Sequence, residues 1–158
     1  MNVSAIKIIV LDVDGTLTDG GIYVTDSGEE FKKFHVKDGM AITRLRKKGM
    51  HFGLISGSKS KGAIYKRGEN LGVQYVYVGD DSKTQILENW LSALGITYDN
   101  VLFMGDDLSD REVMQRSAIA ACPADAAPSI VAIADIVTQK KGGEGCFREL
   151  ADKYFPFD

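Results

Sequence analysis

Residues 6–16, Ile-Lys-Ile-Ile-Val-Leu-Asp-Val-Asp-Gly-Thr, constrain the fold more than any other stretch of the chain. A short aliphatic run broken only by Lys7 suits a central strand covered on both faces, which demands a sheet layered between helices. The run ends in Asp12 and Asp14, followed at once by Gly15. Alternate residues of a strand face the same side, roughly 6.5–7 Å apart, so both carboxylates are expected to aim at one point just past the strand's end. In an open α/β sheet that point is where ligands bind. Carboxylates crowded together need a cation, a shared proton or separate roles. A magnesium ion with a phosphate ester would supply the first and the last.

The rest of the chain alternates in a way that fits such a sheet. Strands are expected at 51–55, 73–78, 101–104, 119–121 and 136–137, and helices at 37–48, up to 71, at 82–94, 108–116, 124–134 and up to 154. This alternation implies βαβ units, hence an α/β, Rossmann-like parallel sheet with helices on both faces. Residues 22–24 and 30–35 flank Thr25-Asp26-Ser27-Gly28 and read as a β-hairpin within about 21–35. An isolated hairpin is marginal in water, so Ile22, Val24, Phe31 and Phe34 must pack on the parent domain or on another subunit. A length of 158 residues suffices for one domain, 1–158, and is short for two. The net charge of −3 argues against nucleic acid as partner. No segment has the length of a membrane span or the make-up of a signal peptide, so a cytoplasmic protein is expected. Cys122 and Cys146 lack metal-site spacing and read as reduced packing residues.

Three further features carry chemistry. Ser56 closes an expected strand, where its hydroxyl could donate to a phosphate oxygen or simply cap the next helix. Lys83 opens a helix, where a cation is electrostatically unfavourable unless an anion lies nearby or water solvates it. Gly105-Asp106-Asp107-Leu108-Ser109-Asp110 places three carboxylates directly after an apolar strand, a density that is costly without a cation. Magnesium, with its octahedral shell of oxygens, suits such a donor set.

Asp12-Val13-Asp14-Gly15-Thr16, Ser56, Lys83 and Gly105-Asp106-Asp107, in that order, resemble the haloacid dehalogenase-like phosphohydrolases. The resemblance implies that Asp12 is the nucleophile of an aspartyl-phosphate intermediate and Asp14 the general acid/base. It implies that Lys83 neutralises the phosphoryl group, with Ser56 beside it. It also implies that Mg²⁺ is held by Asp12, the backbone carbonyl of Asp14 and Asp106, with Asp107 and Asp110 behind them; Asp110 could also orient Lys83. The intervals between motifs leave no room for a cap domain.

Asp19-Gly20-Gly21-Ile22-Tyr23, Phe34-His35-Val36-Lys37-Asp38-Gly39 and Gly142-Gly143-Glu144-Gly145-Cys146-Phe147-Arg148-Glu149 narrow the likeness. They are similar to the capless, tetrameric phosphatases of 3-deoxy-D-manno-octulosonate 8-phosphate, and to those acting on nine-carbon sugar acid 9-phosphates. This likeness implies a small sugar acid phosphate as substrate and a homotetramer built through the hairpins. It also implies a glycine-rich tail, about 141–158, serving as a flexible lid that reaches a neighbour's site. Gly57, Ser58, Arg67 and Arg148 are the expected substrate contacts. One position departs from the pattern: after Ser-Gly the eight-carbon enzymes typically carry arginine and the nine-carbon ones glutamate, where this chain has Ser58 followed by Lys59. The competing reading is a non-catalytic interaction module, for which costly clustered charges serve no purpose.

Overall fold

A computed structural model describes residues 1–156. Strand β1 (Ile8–Asp12) is buried along its whole length, as its aliphatic sequence requires. After it come the short strands β2 (Tyr23–Val24) and β3 (Glu30–Phe31), helix α1 (Val36–Lys47) and strand β4 (His51–Ser56). Helix α2 (Lys61–Leu71), strand β5 (Tyr75–Val78), helix α3 (Lys83–Leu94) and strand β6 (Val101–Met104) follow. The chain ends with α4 (Arg111–Arg116), β7 (Ile119–Cys122), α5 (Pro128–Val131), β8 (Ile136–Val137) and α6 (Cys146–Tyr154).

Six strands form one sheet in the order β5-β4-β1-β6-β7-β8, with every pairing parallel. The chain builds outward from β1 to β4 and β5, then crosses back to place β6 on β1's other side. The crevice at that reversal, outside the carboxyl ends of the strands, is where an open α/β sheet binds its ligand. Alternation along β1 feeds two cores. Ile9 and Leu11 pack with Ile42, Leu45, Ile64, Phe147 and Leu150 from α1, α2 and α6. Ile8 and Val10 pack with Leu87, Leu91, Val113, Met114 and Ile130 from α3, α4 and α5. At about 1.5–3 kcal/mol per buried large aliphatic side chain, these two layers hold β1 rigidly and so fix where its carboxyl end points.

Three elements differ from the sequence expectation. The hairpin ladder is only two residues per strand, with Tyr23 and Phe31 stacked 5.3 Å apart, because Phe34 turns inward to bridge Thr18. Helix α5 spans four residues rather than 124–134; Pro128 disfavours helical geometry at its predecessor, and the chain makes a turn at Pro123–Ala126 instead. The 108–116 helix starts as a tight turn, Leu108–Asp110, before α4. Between Asp14 and Ser56 the described chain contains only the hairpin, α1 and β4. Between Lys83 and Asp106 it contains only α3, a short turn and β6, so no cap domain covers the site.

Candidate active site

β1 stops at Asp12, and the chain enters a wide turn, Val13–Leu17, closed by the Thr18 amide donating to the Val13 carbonyl at 3.0 Å. The turn is possible because Gly15 adopts φ +91°, a left-handed conformation that other residues rarely take. A Cβ at Gly15 would also collide with the Asp106 carboxylate. The end of β1 is thereby brought against the end of β6.

Lys83, the first residue of α3, places its Nζ 2.5 Å from Asp12 Oδ1 and 2.6 Å from Asp110 Oδ1. The anion that a lysine needs at a helix start is therefore supplied by these two buried carboxylates. Asp110 is the most heavily bonded of the three: its other oxygen, Oδ2, accepts from the Asp106 and Asp107 amides at 3.0 and 3.3 Å. Asp106 accepts from the Thr16 hydroxyl, at 3.2 Å on Oδ1. Carboxylate oxygens of Asp12, Asp106 and Asp110 all lie within 4.8 Å of one another. Because Asp110 already accepts three hydrogen bonds, Asp12 and Asp106 are the members with more lone pairs to offer a metal. Asp107 is exposed and caps the following turn by accepting from the Leu108 amide at 2.7 Å.

Asp14 is not among the carboxylates gathered with Asp12. The strand has ended before it (φ −76°, ψ 114°), so strict alternation no longer applies. Its carboxylate pairs instead with Lys32 Nζ at 2.5 Å on Oδ1 and with the Ser56 hydroxyl at 3.1 Å on Oδ2. Four carboxylates, Asp12, Asp14, Asp106 and Asp110, thus meet two ammonium groups, Lys32 and Lys83, which leaves two negative charges. A divalent cation would match that excess.

The electrostatics report the same crowding. Burial, and then the Asp110 charge, push Asp12 well above the usual carboxylate range against the opposing pull of Lys83. Burial raises Asp106 to about 6. Burial works to lower the Lys83 pKa, but Asp12 and Asp110 outweigh it and the ammonium is held more firmly than usual.

A cavity of about 330 Å³ adjoins this cluster, bordered by Ser56, Gly57, Asp80, Ser82, Lys83 and Ser109. A larger one, about 650 Å³, lies at the opposite ends of the strands around Ile6, Met50 and His51, away from the clustered charges. Gly57 therefore borders the site. Ser58 donates its amide to Ser56 Oγ at 3.0 Å, while its own hydroxyl accepts from the Ser60 amide. Arg67 is not gathered here. Its guanidinium lies over the Phe34 ring at 5.4 Å, packed between α2 and α1. Arg148 pairs with Asp152 at 2.6 Å on α6, and its amide donates to Asp38.

Within this chain the glycine-rich segment is seated on the turn that follows β1. The Gly143 amide donates to the Thr16 carbonyl at 3.1 Å, the Gly142 amide to Asp125 at 2.9 Å, and Cys146 Sγ to the Thr16 carbonyl at 3.2 Å. A Cβ on Gly142 would overlap the Gly15 carbonyl. Its glycines thus serve close backbone approach. Residues 157 and 158 of the expected tail lie outside the described residues. Sequence reading did not pick out Lys32. Lys32 carries no local signal, since it is one of two adjacent lysines on a hairpin; Thr16, the last residue of the Asp12–Thr16 motif, is placed on Asp106.

Sheet order and site together define a class. The sequence model for haloacid dehalogenase-like hydrolases matches residues 65–150, and the chain belongs to this family. Among its relatives, the 3-deoxy-D-manno-octulosonate 8-phosphate phosphatase KdsC of Escherichia coli K12 is 38% identical over 147 residues, which is 93% of this chain and 78% of that protein. The crystal structure of the Yersinia pestis 3-deoxy-D-manno-octulosonate 8-phosphate phosphatase superposes with a TM-score of 0.93 at 33% identity, over 97% of this chain and 82% of the other. The corresponding Moraxella catarrhalis enzyme, in complex with a magnesium ion, a phosphate ion and a KDO molecule, gives 0.92 at 30% identity over 97% and 87%.

Proposed function

We propose that this protein is a magnesium-dependent phosphatase of a 2-keto-3-deoxy sugar acid phosphate, with 3-deoxy-D-manno-octulosonate 8-phosphate as substrate. The observation that carries the reading is the Lys83 ammonium held between Asp12 and Asp110 beside Asp106, at the carboxyl end of β1. The relatives' named activity supports the substrate.

In this reading Asp12, the Asp14 carbonyl and Asp106 would hold Mg²⁺, which would offset charge on the phosphoryl oxygens. An Asp12 carboxylate oxygen attacks phosphorus in line; the bond to the sugar oxygen breaks as Asp14 hands that oxygen a proton. Asp14, now ionised, takes a proton from a water that attacks the aspartyl phosphate, releasing inorganic phosphate and restoring Asp12. Lys83 and the Ser56 hydroxyl stabilise the charge on the transferred group. Asp110 acts by holding Lys83 and the Asp106 amide, and Asp107 by capping the turn. Gly57 and Ser58 border the phosphate and the sugar.

A homotetramer completes the reading. Ile22, Val24 and Phe31 on the hairpin are 82%, 54% and 54% exposed, and covering them requires another surface. In such an assembly Arg67 and Arg148 would meet substrate only after leaving Phe34 and Asp152. A reducing, cytoplasmic setting suits the two unpaired cysteines. A nine-carbon sugar acid 9-phosphate is the second reading, kept open by Ser58, which is neither the arginine of the eight-carbon enzymes nor the glutamate of the nine-carbon ones. Phosphate release with Mg²⁺ decides between them. A kcat/KM at least about tenfold higher for the eight-carbon ester, about 1.4 kcal/mol, is expected. The reverse preference would select the nine-carbon substrate, and no turnover of either would refute both.

A further inference from the structure

Among the described residues of the hairpin, Lys32 is the one whose side chain bonds a carboxylate of this site. Its chain neighbours face water: Phe31 is 54% exposed and the Lys33 side chain 61%, while that of Lys32 is only 11% exposed. A lysine stem loses rotamer freedom when its head is fixed. Here it is fixed against a single anion, Asp14 Oδ1, at 2.5 Å.

Asp14 needs such a tether more than the other carboxylates do. Asp12 and Asp110 are buried and share Lys83. Asp14 stands in a turn after the strand, its side chain 40% exposed, with Lys32 and Ser56 as its side-chain partners. The Ser56 hydroxyl has one proton to donate. When that proton goes to a phosphoryl oxygen, as the proposed function has it, Asp14 Oδ2 loses its partner and the Lys32 contact to Oδ1 remains. Without Lys32 the carboxylate would be free to turn among staggered side-chain rotamers into water.

We propose that Lys32 is a positioning residue for Asp14: it anchors Oδ1 so that Oδ2 stays directed at the oxygen leaving phosphorus. The proposal rests on reading Asp14 as the general acid/base. It makes catalysis depend on the hairpin, an element otherwise committed to exposed apolar surface.

The test compares parent protein, Lys32→Met, Lys32→Arg and Asp14→Asn on two esters with Mg²⁺. Octulosonate 8-phosphate expels an alkoxide that must be protonated, whereas p-nitrophenyl phosphate expels a phenolate that leaves unaided. Lys32→Met is expected to lower kcat on the sugar ester about 100-fold, the scale of general acid–base catalysis, with KM changed less than about threefold. The initial burst of p-nitrophenolate should survive in Lys32→Met, because only later water attack needs Asp14. Lys32→Arg should recover most of the loss, and thermal unfolding of both Lys32 variants should match the parent.

An unchanged kcat in Lys32→Met overturns the proposal while Asp14→Asn still fails to turn over. So does a loss confined to KM, which would make Lys32 a contact to substrate. Parent-like turnover in Asp14→Asn overturns the acid/base reading and the proposal with it.

Discussion

Magnesium binding at this site should depend on pH through Asp106, with a definite sign and size. In the metal-free protein burial raises Asp106 to about 6. A raised carboxylate pKa means that the fold binds this proton more tightly than the unfolded chain does. The stability that follows is full below the ordinary carboxylate range and is lost as pH rises through about 6. Magnesium needs the same oxygens ionised, so its stabilisation runs the opposite way, full above about pH 6 and weakening below it. At about one hundred times its Kd, the ion adds about 2.7 kcal/mol. For a domain of this size, at about 2–4 °C per kcal/mol, that is an increase in Tm of ~5–11 °C. Each proton displaced removes about 1.4 kcal/mol per pH unit. The same magnesium concentration at pH 5 should therefore keep about half of the stabilisation seen at neutral pH. Asp12, also raised by burial and by Asp110, would steepen the loss. Scanning calorimetry with and without Mg²⁺ across this range is the assay, with Asp106→Asn as the variant expected to show no gain. An equal gain at pH 5 and pH 7.5, or a full gain in Asp106→Asn, would refute the reasoning.

Other perturbations have equally definite outcomes. Lys83→Met leaves Asp12 and Asp110 buried without their cation, which should cost about 3–5 kcal/mol in urea unfolding. The cost should be smaller in mild acid, where Asp12 takes up a proton. Gly142→Ala forces a Cβ into the Gly15 carbonyl, and about 1–3 kcal/mol of overpacking, together with lost phosphatase activity, should follow from a displaced catalytic turn. Burial pushes the Cys122 thiol up to about 11 and raises Cys146 as well, so thiol reagents at pH 8 should modify neither until the protein unfolds.

What was legible in the sequence follows from how a parallel sheet gathers its strand ends. The apolar runs of β1, β4 and β6 are local signals, and a parallel sheet necessarily brings their carboxyl ends together. Asp12, Ser56 and Asp106 could therefore be assembled from sequence, with Lys83 added by its unfavourable helix position. Asp14 lies past the end of β1, where strand alternation no longer sets the direction of its carboxylate, so its pairing with Ser56 and Lys32 could not be read from spacing. Lys32 could not be read, since its partner lies 18 residues earlier in the chain and the hairpin's path decides the encounter. The glycines at 142 and 143 suggested freedom when taken alone. Set against Gly15 and Thr16, more than 120 residues away, they allow contact of backbone on backbone.

Covalent transfer to Asp12 is tested most directly by quenching the magnesium-loaded protein in acid during turnover of octulosonate 8-phosphate and mapping its peptides by mass. Borohydride reduction of the same quenched sample marks an acyl phosphate by converting the aspartate to homoserine. A phosphoryl group, and after reduction a homoserine, on the peptide that contains Asp12 and absent in Asp12→Asn is the expected result. Full turnover by Asp12→Asn, or a phosphoryl group carried elsewhere, would contradict it.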